Sequence, residues 1–174
     1  MGIQPRIELE YPYGRMEAGL RLLFAVLLSS LYLFLAFRTV AYLFHIGFIT
    51  AFLLLLAFTL PYRMLRFRQM MRVVKVGNEY RKERTGGYVE LFRYLVYLLL
   101  PLLIFPLLDP AFALGCLIGY FSSISFSDVF FYLYVRRVES RYNGVLKAFI
   151  EPSDKPGRYI WGLRLHSQGV VDER

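Results

Sequence analysis

The chain has 174 residues, of which 57% are hydrophobic and 18% aromatic, with a net charge of +8 and a mean hydropathy of +0.44. That balance excludes an ordinary soluble domain, which carries less apolar and aromatic side chain at this length. The single cysteine, Cys116, excludes an intrachain disulfide and any Cys-x-x-Cys zinc or redox motif, and reads as a small buried residue.

Residues 1–17 form a polar N-terminal segment. Within it, Ile7, Leu9 and Tyr11 alternate with Arg6, Glu8 and Glu10, the period of a strand. Glu8, Glu10 and Glu17 are mixed with Arg6 and Arg15, unlike the purely basic start of a cleavable signal peptide, so the first apolar run is expected to stay in the mature protein.

A helix needs about 20 apolar residues to cross a hydrocarbon core of about 30 Å. Four stretches qualify, Ala18–Phe37, Val40–Leu60, Val89–Leu108 and Pro110–Tyr134. The expected fold class is an all-α integral membrane protein with four transmembrane helices, a cytoplasmic helical extension and a small cytoplasmic β-hairpin or sheet. The chain divides into hairpins at 18–60 and 89–135, a basic loop or helix at 61–88 and a tail at 136–174, all in one membrane domain. Pro101 and Pro106 are expected to kink the third span.

The loop at 61–88 carries Arg63, Arg66, Arg68, Arg72, Lys75, Arg81, Lys82 and Arg84 against Glu79 and Glu83, and the tail opens with Arg136 and Arg137. The positive-inside bias puts both, and both termini, on the cytoplasmic side. Each juxtamembrane cation gains about 1 kcal/mol beside anionic headgroups, so this basic face is expected to lie on anionic lipid. A nucleic-acid partner is not expected, because no recognition module accompanies the charge.

Met64, Phe67, Met71 and Val74 recur at helical spacing. They predict a helix from Pro61 to Arg84 that ends at Gly86 and Gly87. After the fourth span, "VRRVESRY" stays helical until Asn143 and Gly144. "VLKAFIE" and "RYIWGLRL" then flank the turn composition "PSDKPG", which predicts a hairpin. The N-terminal strand is expected to join it with Glu8 and Glu10 facing Arg158 and Arg164.

Two features of the fourth span are candidate sites. Ala111, Gly115, Gly119, Ser123 and Ser127 fall at four-residue intervals, a small-residue seam for close helix packing. Asp128 is a carboxylate in apolar surroundings and needs a partner. With Asp109 and Pro110 turning the chain, Arg93 lies level with Asp128 and is the expected partner, with Arg21 a second candidate. His45 lies about 20 Å or more from Asp128 along the membrane normal, too far for a direct proton relay.

Hydrolase, protease and phosphate-loop motifs do not occur. His45 and His166 fall on opposite sides of the membrane, so no catalytic residue, metal site or cofactor is expected. The function expected is that of a non-catalytic subunit or scaffold of a larger membrane complex, bound to a protein partner or to its own copies. The alternative is a small oligomeric transporter or channel.

Overall fold

The computed structural model describes residues 7–38, 42–85, 91–92, 95–96, 99, 107–155 and 158–167. Strand β1 (Ile7–Glu10) is followed by helix α1 (Arg15–Arg38), helix α2 (Tyr42–Gly77), strand β2 (Glu79–Thr85), helix α3 (Pro110–Tyr142) and strands β3 (Gly144–Pro152) and β4 (Arg158–Ser167). Three helices among the described residues are long and apolar enough to cross a membrane. The expected third span, 89–108, lies largely outside those residues, as do Gly86 and Gly87.

Helix α2 corrects the expected boundary at Pro61. The helix runs through this proline, which sits on its exposed side, and ends sixteen residues later at Gly77. Proline removes one backbone hydrogen bond, a loss that long apolar helices tolerate where neighbouring groups compensate. Asn78, at φ 60°, then turns the chain into β2. Residues 79–85 are therefore a strand, where the sequence pattern predicts the end of a helix. The strand lies at the edge of the sheet and five of its seven residues are charged, as edge strands often are, so it shows no apolar alternation.

Helix α3 repeats this ending. Asp109 caps its start, Oδ1 accepting from the Ala111 and Phe112 amides at 2.9 and 3.2 Å, with Pro110 in the first turn. Asn143, at φ 46°, closes it and leads directly into β3. Both long helices thus finish on a left-handed asparagine, a conformation this side chain tolerates.

The four strands form one antiparallel sheet in the order β1-β3-β4-β2. "PSDKPG" does close a hairpin between β3 and β4, and the N-terminal strand does join the sheet, but on the β3 side. Glu8 consequently meets Lys147 at 3.3 Å and Glu10 meets Arg136 at 3.4 Å. Arg158 and Arg164 lie across β3 from these acids and pair with Glu83 and Glu79 of β2.

Helices α2 and α3 run parallel. Gly47 packs on Phe112, Phe67 on Phe131, and Lys75 lies over the Tyr142 ring, so both chains advance toward the sheet together. At 1.5 Å per residue the 36 residues of α2 extend about 54 Å, well beyond a hydrocarbon core of about 30 Å. The surplus carries the sheet: Phe67, Met70, Met71 and Val74 of α2 and Phe131 and Val135 of α3 form a buried core with Leu146 and Leu163. Beyond Arg21, helix α1 is apolar on most of its surface and, among its residues, buries only Ala25.

Tyr11 is the keystone of this core, stacked on Phe67 at 5.9 Å and packed against Phe131 and Trp161. Burial pushes its hydroxyl up to about 12, against the opposing pull of Arg63, Arg66 and Arg84. A folded value above the unfolded one gives a contribution that is complete below a pH of about 10 and lost as pH rises through the folded value. Alkaline melting of Tyr11→Phe should therefore fall less steeply than that of the parent over that window. Equal slopes would show that the ring is open to water.

Candidate functional site

The strongest polar constellation forms where α1, α2 and α3 meet below the sheet. Asp128 of α3 is only 5% exposed. Its Oδ2 accepts from Arg21 Nη1 of α1 and its Oδ1 from Arg63 Nη1 of α2. Arg63 Nη1 also reaches Ser127 Oγ at 3.5 Å, and Arg21 Nη2 donates to Glu17 Oε1 at 2.7 Å. The Tyr13 hydroxyl donates to the Asp128 carbonyl oxygen, which ties the segment after β1 to the same point.

Aromatic rings orient both guanidiniums. Arg21 lies over Tyr13 at 4.3 Å and Arg63 over Phe131 at 5.3 Å. Each planar cation is thus held between a carboxylate and a ring face, an arrangement suited to arginine and poorly matched by lysine. Burial raises the Tyr13 hydroxyl above its usual range, with the Asp128 charge adding to the rise. Tyr13 therefore stays protonated and keeps donating.

Of the partners considered from sequence, Arg21 touches Asp128, and Arg93 lies outside the described residues. Arg63 belonged to the basic loop by sequence, yet its place inside a continuous α2 brings it to Asp128. The spacing that could have revealed this is helical: Arg63 follows Thr59 and Tyr62 on the face that leads into Phe67. A cavity of about 470 Å³ opens beside the cluster, lined by Thr59, Tyr62 and Ile124 as well as the ion-paired residues.

Two carboxylates, Glu17 and Asp128, balance two guanidiniums, and each oxygen of Asp128 already accepts from one of them. The arrangement can fasten three helices at one depth. By helical rise, Arg63 stands about 32 Å from Tyr42 and Asp128 about 27 Å from Pro110, close to one hydrocarbon thickness from the far ends.

The seam lies along the α2–α3 contact. Gly115, Gly119, Ser123 and Ser127 are buried and Ala111 partly so. A Cβ on Gly115 would stand 2.1 Å from the Phe44 carbonyl oxygen, and one on Gly119 2.5 Å from that of Phe48. The complementary glycine is Gly47 of α2, whose Cβ would meet the Phe112 carbonyl oxygen at 2.4 Å. A lone glycine in a span carries no pattern, so sequence reasoning missed it. Ser125 satisfies its hydroxyl on the Phe121 carbonyl oxygen at 3.0 Å, whereas the Ser122 and Ser123 hydroxyls have no partner among the described residues.

A second buried carboxylate, Glu139, was not singled out by sequence. It accepts from Arg136 Nη1 at 2.7 Å and from the Leu146 amide at 2.6 Å, so it joins the end of α3 to β3. His45 meets the Tyr32 hydroxyl at 3.1 Å near the far end of the helices, and His166 lies on the sheet 3.8 Å from Glu8. Among the described residues no cluster of three His, Cys, Asp or Glu side chains is placed to hold a metal ion. Comparison with family models, curated proteins and solved structures finds no match for this chain.

Proposed function

We propose that this chain is a four-span membrane protein that holds a rigid sheet at the cytoplasmic surface, as a non-catalytic subunit or scaffold of a larger membrane complex. The observation that carries the reading is the continuity of α2 and α3 from their apolar halves into the sheet core. A domain joined to its membrane anchor by a flexible linker can reorient, whereas this sheet shares its core with the anchor. Such a platform presents a fixed surface to a partner at the bilayer.

The parallel course of α2 and α3 supports a fourth crossing by 89–108. Strand β2 ends at Thr85 at the sheet end, and α3 begins at Pro110 at the opposite end. A helical segment of about 20 residues bridges a hydrocarbon core. The concentration of Arg and Lys at the sheet end supports its cytoplasmic placement, with both termini on the same side.

Two experiments test the reading. In a background lacking Cys116, cysteines introduced at 77 and 155 should resist an impermeant thiol reagent added outside, while one at 109 should react. Outside labelling at 77 would invert the topology. Affinity purification of the full chain in mild detergent should recover a stoichiometric second protein. Isolation of a clean homo-oligomer that conducts solute in vesicles would replace the scaffold with a transporter.

A further inference from the structure

The basic residues of the sheet end are not equivalent. Arg21, Arg63, Arg136, Lys147, Arg158 and Arg164 each have a carboxylate partner. Arg68, Arg72, Lys75 and Arg141 have none among the described residues, yet these four converge on one groove of about 210 Å³ between the extensions of α2 and α3. Positions 68, 72 and 75 follow helical spacing along α2, and α3 supplies Tyr134, Arg141 and Tyr142 in register because the helices are parallel.

The floor of the groove is apolar, from Phe67 and Met71, and its walls are cationic. Arg68 gives its Nε to the Tyr134 hydroxyl at 2.9 Å, which fixes the guanidinium and leaves its two Nη groups for another acceptor. Lys75 Nζ rests 4.4 Å from the centre of the Tyr142 ring. Four like charges gathered without a counter-charge call for an anion of more than one charge. The volume falls below the roughly 300–1,000 Å³ of drug-sized clefts, so the ligand is compact.

Depth selects the source. Arg63 marks the edge of the hydrocarbon, and residues 68 to 75 lie about 7 to 18 Å beyond it along the helix. The headgroup layer on each side is about 5–8 Å thick. Arg68 is therefore level with a lipid phosphodiester, while Arg72, Lys75 and Arg141 stand where a second phosphate on a projecting headgroup would reach. We propose that this groove binds an anionic phospholipid whose headgroup carries phosphate beyond the phosphodiester. The proposal rests on the membrane placement above.

The test uses the full chain in mild detergent, titrated with dioctanoyl phosphatidylinositol bisphosphate, dioctanoyl phosphatidylinositol, dioctanoyl phosphatidylcholine, the soluble inositol trisphosphate headgroup and a single-stranded RNA. Melting temperature and native mass spectrometry report binding. The bisphosphate lipid should bind most tightly, and Arg72→Gln with Lys75→Gln should weaken it by about thirtyfold, two cations at about 1 kcal/mol each. Arg66→Gln with Arg137→Gln, which removes two exposed charges that do not line the groove, should change affinity less than about threefold, because neither cation meets the bound headgroup. Equal losses in the two double variants would reduce the groove to general surface charge and overturn the proposal. Equal affinity for the soluble headgroup would assign the groove to a free phosphate compound, and stronger binding of single-stranded RNA would assign it to a nucleic acid. Either result overturns the lipid. Because binding is read in detergent, the outcome is independent of sidedness, which the cysteine labelling tests separately.

Discussion

Gly115→Leu should be among the most damaging single substitutions in the protein. The nearest atoms to a new Cβ are the carbonyl group of Phe44 and the amide of Phe48, all backbone of α2. No side chain can rotate away to make room, so the two helices must separate along the seam. Overpacking typically costs about 1–3 kcal/mol, and a leucine forced against backbone belongs at the upper end or above it. The separation also withdraws Phe44, which is 1% exposed, from its packing. Leu114→Ala, one position along on a side chain 45% exposed, should cost much less because its face is turned outward. Melting in detergent separates the two, and equal losses would show that α2 and α3 are not in close contact at this level. Gly47→Leu should match Gly115→Leu, since each glycine makes room for the other helix.

The seam also marks what a sequence can disclose. Five small residues at four-residue spacing name one side of the contact, because a helix places such residues on one face. The partner helix is not named by that pattern. Its own contribution at this level, Gly47, needs only to be small where α3 passes. The strands divide in the same way. Strands β3 and β4 bury Leu146, Ala148 and Leu163, so their alternation is visible, whereas β2 pairs through its backbone and presents Glu79, Arg81 and Glu83 to neighbouring charges. A strand of that composition looks like a polar helix end until the stop at Gly77 and Asn78 is given weight.

The pairing of Asp128 depended on a helix boundary. With a separate helix starting at Pro61, Arg63 belongs to the basic segment at 61–88 and faces the headgroups. A helix continuous from Tyr42 to Gly77 sets Arg63 on a fixed face, level with Asp128. Depth counting from the turn at Asp109 sets Arg93, outside the described residues, level with Asp128, and it does not reach α1, whose Arg21 makes the contact. What local pattern does not carry is whether a proline interrupts a helix, since that depends on whether the surroundings make up for the lost hydrogen bond.

Asp128→Asn should destabilise the protein more than either Arg21→Gln or Arg63→Gln. The aspartate serves two guanidiniums, so its loss leaves both without their shared counter-charge, whereas loss of one arginine leaves the other in place. Stripping one partner from a fully buried pair costs about 3–5 kcal/mol. Here the two arginine side chains are 35% and 37% exposed. Their exposure therefore screens part of the loss, and about 2 kcal/mol is expected for Asp128→Asn, with about 1 kcal/mol or less for each arginine. Arg21 retains Glu17 after the change, so Arg63 is the more affected partner. Combining Asp128→Asn with Arg63→Gln should then recover part of the sum of the single losses, and a double-mutant cycle of melting in detergent measures that coupling. If the losses add without recovery, Arg63 and Asp128 are not energetically joined, and the carboxylate beside the 470 Å³ cavity becomes a candidate for ion or substrate binding. In that case Asp128→Asn would abolish flux in vesicles, and Arg63→Gln would not.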